Sequence, residues 1–126
     1  MRLLVDSHVA LWALEANPAL GPRARSTLEQ ADEVFFSAVT PWELGIKRAL
    51  GKVDFPDGLV EALTAAGFTG MPITVAHASL APVLDPHHRD PFDRMLVAQA
   101  RLEGLAIVTA DGAFEPYGVE LVDARR

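Results

Sequence analysis

The segment Arg89–Asp111, RDPFDRMLVAQARLEGLAIVTAD, limits the possible fold of this chain more than any other. Asp90 stands where an N-cap is expected and Asp93 is an acid in the first turn, so a helix is predicted to begin here. Gly104 is predicted to end this helix, and the apolar run Leu105–Val108 after it predicts a short buried strand. The segment is therefore a helix, a tight turn and a strand, with carboxylates at both ends.

Short apolar runs and helical segments alternate along the rest of the chain as well. The predicted strands are Leu3–Val5, Val34–Ser37, Met71–Val75, Leu105–Thr109 and Val119–Val122. The predicted helices are His8–Ala16, Pro22–Asp32, Thr40–Leu50, Asp57–Ala66, Ala76–Leu84 and Pro91–Glu103, followed by a helical turn near Ala113. Strands that are apolar throughout and separated by helices indicate a parallel sheet with both faces covered.

Composition narrows the class of protein. A length of 126 residues predicts a single domain spanning residues 1–126, with room for one core. The absence of cysteine excludes disulfides and thiolate metal sites and is compatible with the cytosol. Asp6 and His8 interrupt the apolar N-terminal run, which argues against a signal peptide or a membrane span. Half of the residues are hydrophobic, which fits either a sheet buried on both faces or a surface that a partner covers.

The net charge of −6 argues against attachment to nucleic acid by bulk electrostatics alone. Its distribution qualifies this, because without Asp6, Glu43, Asp90, Asp93 and Asp111 the net charge would be only −1. If these acids cluster, the remaining surface is nearly neutral and has room for basic patches. Nine of the 11 basic residues are arginine, the side chain suited to bidentate phosphate contacts.

Acidic residues follow the predicted strands. Asp6 ends the first strand, Glu43 opens the helix after the second, and Asp111 follows the Leu105–Thr109 strand. Because the carboxyl ends of parallel strands meet at one edge, where such sheets bind ligands, these three acids should share that edge. Asp93 joins them only if its helix begins near the same edge.

Each acid has two interpretations, as a helix cap or as a metal ligand. Thr40 and Glu43 fit a capping box, with a hydroxyl at N-cap and a carboxylate at N3, and each aspartate fits an N-terminal position. Taken together, clustered carboxylates repel one another, and a divalent cation would relieve that repulsion. Oxygen ligands without cysteine favour Mg²⁺ or Mn²⁺. Ser7 and Thr109 would place hydroxyl groups beside such a site or would bond the backbone instead.

Four motifs together resemble one known family. They are Asp6-Ser7, Trp42-Glu43-Leu44, the stretch HRDPFDR at residues 88–94, and Val108-Thr109-Ala110-Asp111. In this order and spacing they resemble the PIN domain, in its branch of VapC-type toxins, over essentially the whole chain. The resemblance implies a three-layer α/β/α fold with a short parallel sheet of four or five strands. It also implies an endoribonuclease that depends on Mg²⁺ or Mn²⁺, cleaves RNA in the cytoplasm and is blocked by a VapB-type antitoxin.

The resemblance also assigns residues. Asp6, Glu43 and Asp93 match the three acids central to the family's metal site, and Asp111 matches a fourth acid that varies more. Asp90 belongs to the same motif, and we expect it to cap the helix and so position Asp93. A nuclease of this kind uses water rather than the 2′-hydroxyl, so its products would carry 5′-phosphate and 3′-hydroxyl ends.

Residues around these acids carry weaker expectations. Arg94 is expected to pair with a nearby acid, or else to contact phosphate. His87 and His88 are expected to be a solvated pair in a loop rather than metal ligands. Lys47 lies in a basic helix end, which suits the helix dipole. The helix Phe92–Glu103 is apolar around most of its circumference, so it should be buried on more than one side, by the sheet and by a second subunit of a homodimer.

Other acidic-pocket proteins fit the sequence poorly. A receiver domain needs a lysine after a late strand, and no lysine follows Lys52. A haloacid-dehalogenase-type phosphatase needs a second aspartate two residues after the first, where this chain has His8. The stronger alternative is a non-catalytic domain of the same fold that binds RNA or protein.

Overall fold

The computed structural model describes all residues, 1–126, and contains one sheet of five parallel strands. The strands are β1 (Arg2–Val5), β2 (Glu33–Ser37), β3 (Thr69–Met71), β4 (Ala106–Thr109) and β5 (Leu121–Asp123). They lie in the order β3-β2-β1-β4-β5, and every neighbouring pair is parallel. The chain therefore builds outward from β1 in one direction and then returns to its other side, which makes the β1–β4 boundary the switch point of the sheet.

Helices cover both faces of this sheet. They are α1 (Ser7–Leu14), α2 (Pro22–Gln30), α3 (Val39–Ala49), α4 (Leu59–Ala65), α5 (Val75–Leu80) and α6 (Pro91–Glu103). Two 3₁₀ turns, Ala81–Val83 and Gly112–Tyr117, complete the secondary structure. None of the helices is both long enough and apolar enough to cross a lipid bilayer.

The core has two halves, because side chains alternate along each strand. Leu3 and Val5 pack on one face, in a cluster that also includes residues of α1, α2 and α4. Leu4 and Ile107 point to the other face, in a cluster that includes most of the buried side of α6. Helix, sheet and helix thus form three layers, and the predicted α/β/α fold is confirmed.

Helix α6 begins and ends where the sequence predicts. Asp90 is the N-cap, and its Oδ1 accepts hydrogen bonds from the backbone N–H groups of Phe92 (2.8 Å) and Asp93 (3.4 Å). Gly104 ends the helix at φ +68°, a left-handed conformation that favours glycine. Leu96 and Val97 are fully buried, which confirms that this helix packs deeply into the domain.

Two of the predicted strands have the wrong boundaries. The third strand is Thr69–Met71 instead of Met71–Val75. Pro72 follows it immediately, and Thr74 caps α5 by accepting a hydrogen bond from the His77 N–H at 3.2 Å. The last strand is Leu121–Asp123 instead of Val119–Val122, because it pairs with β4 in that register.

The capping box predicted at the start of α3 is also wrong. The helix begins at Val39, whose N–H donates to the Ser37 hydroxyl at 3.0 Å. Thr40 therefore lies inside the helix and is fully buried. Glu43 lies in the second turn, which leaves its carboxylate free to face the carboxyl edge of the sheet.

Candidate active site

Asp6 lies at the switch point of the sheet, directly after β1. Its Oδ1 accepts a hydrogen bond from the Val9 N–H at 2.9 Å and caps α1, while its Oδ2 accepts one from the Thr109 hydroxyl at the end of β4. The side chain is almost wholly buried. Burial raises the pKa of the Asp6 carboxyl. The hydrogen bonds that Asp6 accepts from Thr109 and Val9 lower this pKa, and the charge of Glu43 raises it, so that the pKa is raised overall. The capping and ligand roles are thus compatible at this residue.

Glu43 faces the same edge from α3 and is 4% exposed. Its Oε1 accepts a hydrogen bond from the Ser7 hydroxyl at 2.7 Å, and its Oε2 pairs with the Lys47 ammonium at 2.7 Å. The Ser7 oxygen also lies 3.2 Å from the Thr40 hydroxyl, so the two hydroxyl groups form one buried network. Both carboxylate oxygens are therefore oriented by side chains, and neither caps a helix.

Asp93 lies in the first turn of α6 and is half-buried. Its Oδ2 is 2.7 Å from Nε2 of His88. Burial, followed by the negative charge of Asp90, raises the pKa of Asp93 to about 6. This carboxyl consequently titrates much closer to neutrality than an ordinary aspartate does.

His88 lies at the candidate site, although the sequence favours a solvated loop position for it over a ligand role. Its ligand nitrogen and the carboxylate oxygens of Asp90 and Asp93 lie within 4.8 Å of one another, close enough for a shared cation. The expectation of a solvated histidine pair is wrong for His88, although His87 is exposed. The available signal was position, because His88 lies just before the N-cap residue of the acid-bearing helix.

Asp111 lies at the same edge of the sheet but forms no hydrogen bond with Asp6, Glu43, Asp93 or the side chains that hold Glu43 and Asp93. Its side chain is exposed, and its Oδ1 accepts the Ala113 N–H at 2.9 Å, capping the following 3₁₀ turn. Its own N–H donates to the Thr109 hydroxyl oxygen at 3.0 Å. Thr109 thus connects Asp111 to Asp6, but the carboxylate of Asp111 is at the rim of the site.

Arg94 does not pair with an acid, so that expectation is wrong. Its guanidinium donates to the Tyr117 hydroxyl and to five backbone carbonyls of the segment that precedes α6. These carbonyls belong to Ala81, Pro82, Leu84, Asp85 and His88. Arg94 therefore fixes the loop that carries His88, while the neighbouring Arg89 is exposed.

The charges of this edge fit a divalent cation. The negative charge of Glu43 contributes, after burial, to the raised pKa of both Asp6 and Asp93. Lys47 is the only lysine or arginine that forms an ion pair with any of these acids or with Asp90. Several carboxylates therefore face one ammonium group, and oxygen donors with excess negative charge are the set that Mg²⁺ and Mn²⁺ prefer.

Comparison with known proteins places this geometry in a family. The family model described as PIN domain matches residues 3–119. Ribonuclease VapC22 of Mycobacterium tuberculosis is 32% identical, and the match covers 86% of each chain.

Solved structures share the fold at lower identity. VapBC2 from Rickettsia felis, bound to a fragment of promoter DNA, is similar with a TM-score of 0.72 and 13% identity over 98% of each chain. DNA-bound VapBC from Salmonella typhimurium gives a TM-score of 0.71 and 15% identity over 98% of each chain. The resemblance of the four motifs is thereby confirmed: the chain belongs to the PIN domain family, and within it to the VapC type.

Proposed function

We propose that this protein is a metal-dependent endoribonuclease, the toxin of a type II toxin–antitoxin system, which hydrolyses RNA phosphodiester bonds in the cytoplasm. The observation that carries the proposal is that each of Asp6, Glu43 and Asp93 is oriented by a side-chain partner and that the charge of Glu43 acts on both aspartates. The relationship to a protein named as a ribonuclease supports the same activity.

The cofactor in this proposal is Mg²⁺ or Mn²⁺. Asp6, Glu43 and Asp93 would hold it, with Asp111 at the rim contributing through water. When bound, such an ion supplies an activated water and stabilises the negative charge on the phosphate oxygens. Because water is the nucleophile, the 2′-hydroxyl is not required, and the products are 5′-phosphate and 3′-hydroxyl ends.

The residues next to the acids orient them. Thr109 holds Asp6, Ser7 holds Glu43, and His88 holds Asp93, each through one oxygen of the carboxylate. Such outer partners fix the direction of the ligand lone pairs and are worth about 10–100-fold in metal affinity or activity. Asp90 acts indirectly: it caps α6 and thereby places Asp93 at the edge of the sheet.

The decisive experiment is RNA cleavage with purified variants in Mg²⁺ and in Mn²⁺. Asp6→Asn and Asp93→Asn are expected to lower cleavage by at least about a hundredfold, since each removes a charged ligand. Asp54→Asn is the matched control, because Asp54 is exposed and lies in the loop after α3. Undiminished cleavage by both site variants would overturn the assignment, and products ending in 2′,3′-cyclic phosphate would overturn the water mechanism.

A VapB-type antitoxin is the proposed protein partner. An apolar groove of about 290 Å³ lies between α3, α5 and α6, beside the site. Trp42, the residue before Glu43, stands at this groove with 62% of its surface exposed, and its ring meets that of Phe92 edge-on at 5.1 Å. The named VapBC structures are complexes of this kind.

Coexpression with the product of a small adjacent gene should give a complex without ribonuclease activity, and Trp42→Asp should weaken this complex.

A homodimer completes the proposal. Several large apolar side chains are exposed on α3 and on the segment around α5, which is the kind of surface that association covers. They include Ile46, Leu50, Val75 and Val83. Light scattering of the purified chain should give a dimer mass, and a monomer at micromolar concentration would refute this part alone.

A further inference from the structure

Lys47 contacts Glu43 at the candidate metal site, although it lies outside the four motifs of the family. It lies one helical turn after Glu43 on α3, and its ammonium is 2.7 Å from Glu43 Oε2. The Lys47 side chain is 31% exposed, whereas that of Glu43 is 5% exposed. One end of this ion pair is therefore fixed in the interior, and the other has access to solvent.

Carboxylates from two helices act on this ammonium. Burial lowers the pKa of Lys47, but the hydrogen bond and charge of Glu43, together with the charges of Asp90 and Asp93, raise it overall. Asp90 and Asp93 belong to the start of α6, so charges on both helices favour the protonated form of Lys47, while its direct contact is with Glu43. An ordinary ion pair between neighbouring turns of one surface helix would involve a single carboxylate.

We propose that Lys47 is the internal counter-cation of this acid cluster, and that it exchanges its contact with Glu43 for a phosphate of the RNA when a divalent cation binds. This inference rests on the proposed function, since it requires a metal and a phosphodiester substrate. Lys47 thus has two roles. Before a divalent cation binds, its charge stabilises the acid cluster, and afterwards it binds the substrate.

The geometry gives the exchange a physical basis. Glu43 Oε1 is occupied by Ser7, so Oε2 is the oxygen for which the ammonium and a divalent cation would compete. A divalent cation is the stronger competitor because it carries twice the charge. Lysine has a flexible stem of four methylene groups and binds phosphate as a point charge, so it can leave the carboxylate without any backbone movement.

Calorimetric titration with Mn²⁺ alone tests the first role without any need for activity. Lys47→Met is expected to bind Mn²⁺ about tenfold more tightly than the unmodified chain, because the competing charge is gone. Lys47→Arg keeps the charge and should bind as the unmodified chain does. Lys52→Met is the matched control, since it removes the same charge from an exposed position three residues past α3, and its affinity should stay within about twofold.

Binding of adenosine 5′-monophosphate tests the second role. In Mn²⁺, Lys47→Met should bind this phosphate at least about fivefold more weakly than the unmodified chain. In EDTA the two proteins should bind it equally, because the ammonium is then engaged with Glu43. Urea unfolding of each variant confirms that it is folded before either titration.

The outcomes separate this inference from the proposed function. If the unmodified chain binds Mn²⁺ but Lys47→Met binds it equally or more weakly, the counter-cation role is wrong while the metal site stands. Equal loss of nucleotide binding with and without Mn²⁺ would likewise refute the exchange. If the unmodified chain binds no Mn²⁺, the proposed function fails and this inference fails with it.

Discussion

The Thr109 hydroxyl donates a hydrogen bond to Oδ2 of Asp6 and joins residues 103 positions apart across the switch point of the sheet. Thr109→Val keeps the shape of this side chain but leaves a buried carboxylate oxygen without its donor. We expect the variant to lose about 1–3 kcal/mol of unfolding free energy at pH 7 in EDTA, the usual cost of leaving a buried acceptor without its donor. Urea denaturation measures this loss.

A second threonine provides the control for that experiment. The Thr64 hydroxyl donates to the Val60 carbonyl within α4 at 2.8 Å, and the residue is exposed. Thr64→Val should change the unfolding free energy by less than about 0.5 kcal/mol. Equal losses in the two variants would mean that the Asp6 contact contributes nothing specific.

His88 and His87 provide a matched pair for the orientation of Asp93. His88→Ala removes the partner 2.7 Å from Asp93 Oδ2 and should weaken Mn²⁺ binding about tenfold or more, as loss of an orienting contact does. His87→Ala removes a neighbouring exposed imidazole that lies 3.9 Å from Asp85 and should leave the affinity unchanged. Calorimetry compares the two variants, and equal affinities would exclude an orienting role for His88.

The stability of the metal-free protein should depend on pH through Asp93. The pKa of this carboxyl is about 6 in the folded protein, against 3.8 ordinarily, so the folded state binds the proton more tightly than the unfolded state. The resulting stabilisation is complete below about pH 4 and is lost as the pH rises through about 6. Relative to Asp93→Asn, the unmodified chain should lose about 1–3 kcal/mol between pH 4 and pH 7.5.

Urea denaturation of both proteins in EDTA across this range measures the difference. Asp93→Asn is the appropriate reference because all other titrating groups are shared. A constant difference would show that the His88 contact cancels the effect of burial, and one that favours the unmodified chain as the pH rises would show that it outweighs burial; either result contradicts the prediction. Saturating Mn²⁺ should reverse the loss at pH 7.5, since binding to the folded state alone is stabilising.

Arg94 should contribute to stability and Arg89 should not. Arg94→Ala removes donors from the backbone carbonyls of the segment before α6, including 2.7 Å to Leu84 and 2.9 Å to Ala81. We expect a loss of about 2–4 kcal/mol, and Arg94→Lys should recover little of it because one ammonium cannot reach so many acceptors. Arg89→Ala, at an exposed position, should cost less than about 0.5 kcal/mol. Similar unfolding midpoints for both alanine variants would contradict this assignment.

The parts of the fold that depend on local chemistry were predictable. The limits of α6 follow from the cap at Asp90 and the left-handed turn at Gly104, both of which depend on residues close in sequence. The shared edge of Asp6 and Glu43 followed from apolar runs alternating with helices, because parallel strands leave no other arrangement.

The parts that depend on distant contacts were not predictable. Glu43 imitates half of a capping box, but Ser37 starts α3 earlier and changes its position in the helix. His88 contacts Asp93 from a loop whose carbonyl groups Arg94 binds, and neither contact has a sequence pattern of its own. Strand β3 is three residues long and is defined by its register with β2, not by an apolar run.

The strand order also has a consequence for synthesis on the ribosome. Strand β1 emerges first, yet its place is at the centre of the sheet, and the neighbour on one side, β4, begins only at Ala106. A nascent chain that has not reached this point has an open edge along β1 and has no Thr109 to hold Asp6. The candidate active site therefore cannot be completed until β4 and Thr109 have been translated, which is after most of the chain has been made.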